Sequence, residues 1–87
     1  MSAKSELKAA ARLINAIMPI LEGKGPAVQG AVLADLTSRW VAGHSPVLRE
    51  EIMAMHEKAI REMVPISEGE IFGKAGHPDR QWQEPGK

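Results

Sequence analysis

Apolar residues recur every three to four positions in three stretches of the chain, and two short breaks rich in glycine and proline separate these stretches. The breaks are residues 23–26 (GKGP) and 43–46 (GHSP). Such spacing is typical of helices that bury one face. The pattern therefore predicts an all-α fold with helices at about residues 5–22, 26–42 and 46–64.

The first predicted helix has a broad apolar face and a polar strip opposite to it. Pro19 lies on the polar strip and lacks a backbone N–H, so we expect it to kink or loosen the last turn. Gly23 is expected to end the helix, because glycine readily adopts positive φ. The residues of the apolar face are Leu7, Ala10, Leu13, Ile14, Ile17, Met18, Ile20 and Leu21.

The second predicted helix carries small residues on one side. Its expected first residue is Pro26, whose fixed φ suits that position. Gly30, Ala34 and Ser38 recur every four residues and form a ridge opposite the larger side chains. This ridge is either an ordinary exposed face or a surface on which another helix approaches closely. The second interpretation makes these three residues candidates for contact between chains.

The third predicted helix begins at Ser45 and Pro46, an N-cap hydroxyl followed by a proline at the first helical position. Pro65 is expected to stop it. Glu57 and Arg61 are placed to form an i,i+4 ion pair on the wet face. A sharp apolar stripe is predicted at Leu48, Ile52, Met55, Ala59 and Met63.

A second apolar row widens that stripe to about half of the helix circumference. The row consists of Met53, Ile60 and Val64, and His56 lies inside the widened arc. One packing partner in a small bundle does not need so wide a surface. We interpret the surplus as a subunit interface, with Met53, His56 and Ile60 as candidate contacts between chains in a two-fold pairing.

The predicted architecture is a three-helix bundle-like domain over residues 1–65 that forms a homodimer. A domain of this size buries a limited share of its surface, so association is expected on size alone. A role in binding another protein also stays open. The predicted core is Leu13, Ile17, Val32, Leu36, Trp40, Ile52, Met55 and Ala59.

Residues 66–87 are rich in glycine and proline and are predicted to form an irregular tail. Ser67 and Glu70 have the spacing of a capping box, which allows one helical turn near Ile71. Ile71, Phe72 and Trp82 are the candidate anchors of the tail, because buried aromatic and aliphatic side chains hold segments in place. A mobile tail and a tail that captures an external partner are the alternatives.

Composition restricts the location and the partners. Eleven Lys and Arg balance eleven Asp and Glu, so no net charge favours nucleic acid or an anionic membrane. The chain has no cysteine, which excludes disulfides and thiolate chemistry. No export signal and no stretch of about 20 apolar residues is apparent. We therefore expect a soluble cytoplasmic protein that does not enter a membrane.

No arrangement of residues identifies a reaction, so the sequence predicts no catalytic, cofactor-binding or metal site and no enzyme. His44, His56 and His77 have no metal-ligand spacing. The hydroxyl residues do not match a nucleophile elbow. Carboxylates such as Glu50 and Glu51 on a wet helix face are ordinarily solvated charges.

The predicted function is that of a small protein–protein interaction or structural module that self-associates. The alternative is a DNA-binding regulator of the helix-turn-helix type, because the turn between the second and third helices is short. In that alternative the exposed start of the third helix offers Arg49 against Glu50 and Glu51. Two carboxylates facing phosphates are unfavourable, so nucleic acid is the less favoured partner.

Overall fold

A computed structural model of the chain describes the backbone of residues 2–82 and the side chains of residues 2–80. The described residues contain helices and no strands, which confirms the prediction of an all-α fold. The three α-helices are α1 (Ala3–Leu21), α2 (Pro26–Ala42) and α3 (Arg49–Phe72), and two short 3-10 helices span Pro46–Leu48 and Pro78–Trp82.

The chain divides into two units, Met1–Trp40 and Val41–Lys87. The first unit contains α1 and most of α2. The second contains the turn after α2, α3 and the segment that follows α3.

In the first unit, polar side chains cap both ends of α1. Ser2 is the N-cap, and its hydroxyl accepts a hydrogen bond from the backbone N–H of Ser5 at 3.1 Å. At the other end, the amide of Gln29 donates to the carbonyl of Leu21 at 2.9 Å. Each bond satisfies a backbone group that the helix itself leaves without a partner. The chain leaves α1 through Gly23, where φ is 81°.

The first unit has no buried residue among residues 2–40. Helices α1 and α2 do not pack side by side within it. The core predicted there is therefore wrong for the single chain, because an apolar face is buried only when another surface covers it. The exposed members of that predicted core are Leu13 (63%), Ile17 (42%), Val32 (38%), Leu36 (53%) and Trp40 (48%).

In the second unit, the turn between α2 and α3 is the best-buried part of the described chain. Val41 is buried, and His44, Ile52 and His56 are half-buried. The guanidinium of Arg49 donates to the carbonyl of Ala42 through Nη2 at 2.8 Å and to that of His44 through Nε at 3.1 Å. Arg49 thereby supplies donors to carbonyls at the end of α2 and fixes the turn.

The start of α3 differs from the sequence prediction. Ser45 occupies the N-cap position before Pro46, but its hydroxyl makes no capping hydrogen bond. Its carbonyl instead accepts from the N–H of Leu48 at 2.9 Å, which closes one 3-10 turn before α3 begins. A 3-10 bond satisfies the same kind of backbone group with tighter geometry.

Helix α3 continues through Pro65 to Phe72, so the predictions that the helix stops at Pro65 and that residues 66–72 are irregular are wrong. An internal proline removes one hydrogen bond and bends the helix, at a cost of about 3 kcal/mol, but the turns on either side can still form. Ser67 consequently lies inside α3, and the predicted capping box is absent. The helix ends at Gly73, where φ is 84°.

Most apolar residues of α3 are exposed in the single chain. Met55, for which the sequence predicts a core position, is 63% exposed, and Ala59 is exposed as well. Ile52 is half-buried near the turn. The predicted core therefore does not form in this unit either, and the buried apolar residue there is Val41, which is not among the predicted core residues.

Candidate functional site

One exposed apolar surface of α3 is a row of four large side chains, Met53, Ile60, Val64 and Ile71. They are 45%, 48%, 55% and 71% exposed. At about 100° per residue their spacings of seven, four and seven residues keep all four within about 40° of one line along the helix. We call these four residues the apolar row. Ile71 belongs to it only because α3 passes Pro65.

One ion pair flanks the apolar row, and a second lies on the opposite side of α3. Arg61 Nη2 lies 2.8 Å from Glu57 Oε2, which confirms the predicted i,i+4 ion pair. Lys58 and Glu62 form a longer pair at 4.0 Å. Both pairs are well exposed, and pairs of this kind contribute only a few tenths of a kcal/mol.

The small residues of α2 face open space in the described chain. Gly30, Ala34 and Ser38 are all exposed. A Cβ added at Gly30 would meet no atom within 4 Å. The Ser38 hydroxyl donates to the carbonyl of Asp35 in its own helix at 2.8 Å. Contact between chains along this ridge stays a prediction.

The segment after α3 folds back onto the end of that helix. We call residues 73–82 the strap. The carboxylate of Glu68 in α3 accepts three hydrogen bonds from it: two from Arg80, through Nε and through Nη2 at 2.7 Å, and one from the backbone N–H of His77 at 2.7 Å. The Glu68 side chain is 15% exposed. Glu68 is thus the attachment point of the strap.

These three bonds change the acidity of Glu68. The hydrogen bonds from Arg80 and then from the His77 backbone lower its pKa from 4.5 to about 2, because each donor favours the charged carboxylate. The same ion pair raises the pKa of Arg80. The attachment is therefore fully charged at neutral pH.

Gly76 makes the close approach of the strap possible. Its φ is +78°, and a Cβ at this position would lie 2.6 Å from Glu68 Oε2 and 2.8 Å from Arg80 Cδ. Only glycine avoids both the strained backbone and this contact. The strap also contacts Phe72, whose ring meets the His77 ring edge-on at 4.8 Å between centroids.

The candidate tail anchors have different positions. Phe72 is the last residue of α3 and contacts the strap through His77. Ile71 is 71% exposed. The backbone of Trp82 ends the second 3-10 helix, and its side chain lies outside the described residues.

An open pocket of about 220 Å³ lies between the strap and the last turns of α3. Two of its charged residues, Glu68 and Arg80, form an ion pair with each other. The pocket walls otherwise consist largely of glycine, alanine and proline. Its lining residues are Pro65, Glu68, Gly69, Gly73, Lys74, Ala75, Gly76 and Arg80.

The Glu68 attachment was missed by reasoning from the sequence. Glu68 and Arg80 are twelve residues apart, a separation that no helical or strand periodicity connects. The available signal was the pair Gly73 and Gly76, whose spacing suits a tight turn. That signal is visible only when α3 is known to extend beyond Pro65.

The described residues contain no group of three or more His, Cys, Asp or Glu placed to hold a metal ion. His77 has a local role, because its Nδ1 accepts the N–H of Asp79 at 2.9 Å. Within the same part of the chain, no helix has the length and apolarity needed to cross a membrane. Comparison with known proteins found no matching family model, no matching curated protein and no matching solved structure.

Proposed function

We propose that this protein is a helical interaction module that self-associates as a homodimer and has no catalytic role. The observation that carries the proposal is the exposure of large apolar side chains on all three helices in both units. Scattered apolar residues are normal on protein surfaces, but continuous apolar faces mark interaction sites.

The magnitude of the uncovered surface supports association. Helix α1 alone exposes six large apolar residues by 42–71%. Burial of about half of each contributes on the order of 5–10 kcal/mol at 1.5–3 kcal/mol per fully buried side chain. Association itself costs about 4–15 kcal/mol in lost freedom. One helix face is therefore marginal, and a stable dimer needs surface from more than one helix.

The stability of the helices leads to the same proposal. Most helical stability in proteins comes from packing of an apolar face rather than from intrinsic propensity. Helices α1 and α2, of 19 and 17 residues, are only slightly longer than the about 12–15 residues below which isolated helices are marginal in water. A second copy, completing a bundle around these faces, supplies the missing packing. We also place the protein in the cytoplasm, and a chain without cysteine is compatible with that compartment.

The DNA-binding alternative has less support. It relies on Arg49 at the start of α3, but the Arg49 guanidinium is bonded to the carbonyls of Ala42 and His44. Glu50 and Glu51 are exposed beside it. Phosphate contacts at this surface would therefore face two carboxylates with no available arginine in that turn.

The test is light scattering and circular dichroism over a range of protein concentrations. We expect a dimer mass at high concentration, and helix content that falls on dilution together with the mass. Ile17→Lys, on the apolar face of α1, should shift the equilibrium to monomer, whereas Asn15→Lys on the polar strip should not. A monomer mass with undiminished helix content at every concentration would contradict the proposal.

A further inference from the structure

We propose that two copies pair along α3 in antiparallel orientation, with the apolar row of one chain against the apolar row of the other. This inference rests on the proposed self-association and specifies its surface and direction. The occupant of the row is a second copy of this chain.

The spacing of the apolar row fits an antiparallel copy. Met53, Ile60, Val64 and Ile71 are arranged symmetrically about position 62. When a second α3 runs in the opposite direction with its position 62 at the same level, Met53 meets Ile71 of the other copy and Ile60 meets Val64. The row extends over about 27 Å at 1.5 Å per residue, so both ends are matched.

Charge favours the antiparallel direction over the parallel one. Glu50 and Glu51 are exposed in the first turn of α3. Lys74, also exposed, follows the last residue of α3 by two positions. In the antiparallel register Glu50 of one copy lies near the C-terminal end of α3 of the other copy, which Lys74 follows after Gly73. A parallel pair would instead place Glu50 of both copies at the same level, which is destabilising.

The strap leaves the apolar row open. Three α3 residues next to the strap lie roughly 130° around the helix from the row at 100° per residue: Pro65, Gly69 and Phe72. Glu68, which accepts the bonds from Arg80 and His77, lies about 60° from the row on the same side. A second copy that approaches the row from the side away from Glu68 therefore does not displace the strap.

Cysteine cross-linking tests the pairing, and the natural chain offers a background without cysteine. Met53→Cys and Ile71→Cys are prepared separately, and each is oxidised alone and in an equal mixture. The antiparallel pairing predicts a disulfide-linked dimer of one chain of each kind in the mixture. It predicts little cross-linking of either variant alone, because the two identical positions would lie about 27 Å apart.

A second measurement does not depend on disulfide geometry. Ile60→Ser removes a large side chain near the centre of the row and should raise the dimer dissociation constant at least tenfold, as truncation of a central interface residue does. Met55→Ser is the matched control, since Met55 is 63% exposed and lies about 160° from the row. Its effect should be less than threefold.

The outcomes separate this inference from the proposed function. Cross-linking of Met53→Cys with itself would overturn the antiparallel direction. A dimer mass without cross-linking in the mixture, or equal effects of Ile60→Ser and Met55→Ser, would overturn the α3 surface while self-association stands. A monomer mass for the natural chain at every concentration would overturn both.

Discussion

Replacement of Gly76 by alanine should release the strap from α3. The φ of +78° at this position costs a residue with a side chain about 1–2 kcal/mol. The added Cβ would in addition lie 2.6 Å from Glu68 Oε2, so the carboxylate and Arg80 must move apart. The backbone contribution alone multiplies the open population of the strap by about 5–30.

Limited proteolysis with trypsin measures this opening, because Lys74 lies within the strap. When opening is faster than cleavage, the rate of cutting follows the open population. Cleavage after Lys74 in Gly76→Ala should therefore be at least fivefold faster than in the natural chain. Cleavage after Lys24, in the loop between α1 and α2, is the internal reference and should not change.

Gly69→Ala is the matched control for the Gly76 variant. Gly69 lies inside α3, and a Cβ there would meet no atom within 4 Å. Alanine should stabilise the helix by about 1 kcal/mol and leave cleavage after Lys74 equal or slower. Equal cleavage of Gly76→Ala and the natural chain would refute the reasoning, since it would mean that the strap is not held in the described conformation.

Three further predictions concern acidity, helix stability and the α2–α3 turn. The pKa of Glu68 is lowered in the folded chain, so the stabilisation that the Glu68–Arg80 ion pair gives the strap is lost as pH falls from about 4.5 to about 2. The NMR signal of the His77 backbone amide, which donates to Glu68, should therefore change with a midpoint near pH 2. A midpoint near 4.5 would contradict the attachment. Gly30→Ala should stabilise α2 by about 1 kcal/mol and raise the helix content measured by circular dichroism, because a Cβ at this position meets no atom within 4 Å. If the substitution instead weakened the dimer, the ridge of Gly30, Ala34 and Ser38 would lie in the interface. Arg49→Ala removes the two hydrogen-bond donors that hold the turn between α2 and α3. The free energy of unfolding, measured in urea, should fall by about 1–2 kcal/mol. An unchanged value would show that water replaces the guanidinium there.

Local features of the fold were accessible from the sequence. Helix breaks occur where glycine and proline were found, with Gly23 at positive φ and Pro26 as the first residue of α2. The Glu57–Arg61 pair also follows from spacing alone. These features depend on residues within one or two turns of each other, which is the range over which propensity and periodicity act.

The errors share a different origin. Pro65 is a strong local signal against helix, yet α3 passes it, because a proline weakens one turn without preventing the next one. Ser45 is a residue type that commonly caps helices, but its hydroxyl makes no capping hydrogen bond. In both cases the outcome depends on how neighbouring backbone groups are satisfied, and residue type alone does not settle that.

The sequence by itself determined the helical class and the amphipathic faces, since both follow from backbone propensity and from the period of the apolar residues. The structure decided which of these faces are covered, and among residues 2–80 Val41 alone is buried. It also decided that Glu68 meets Arg80 and the His77 backbone. Burial and contacts between distant residues depend on the path of the chain in space, and no local pattern records that path.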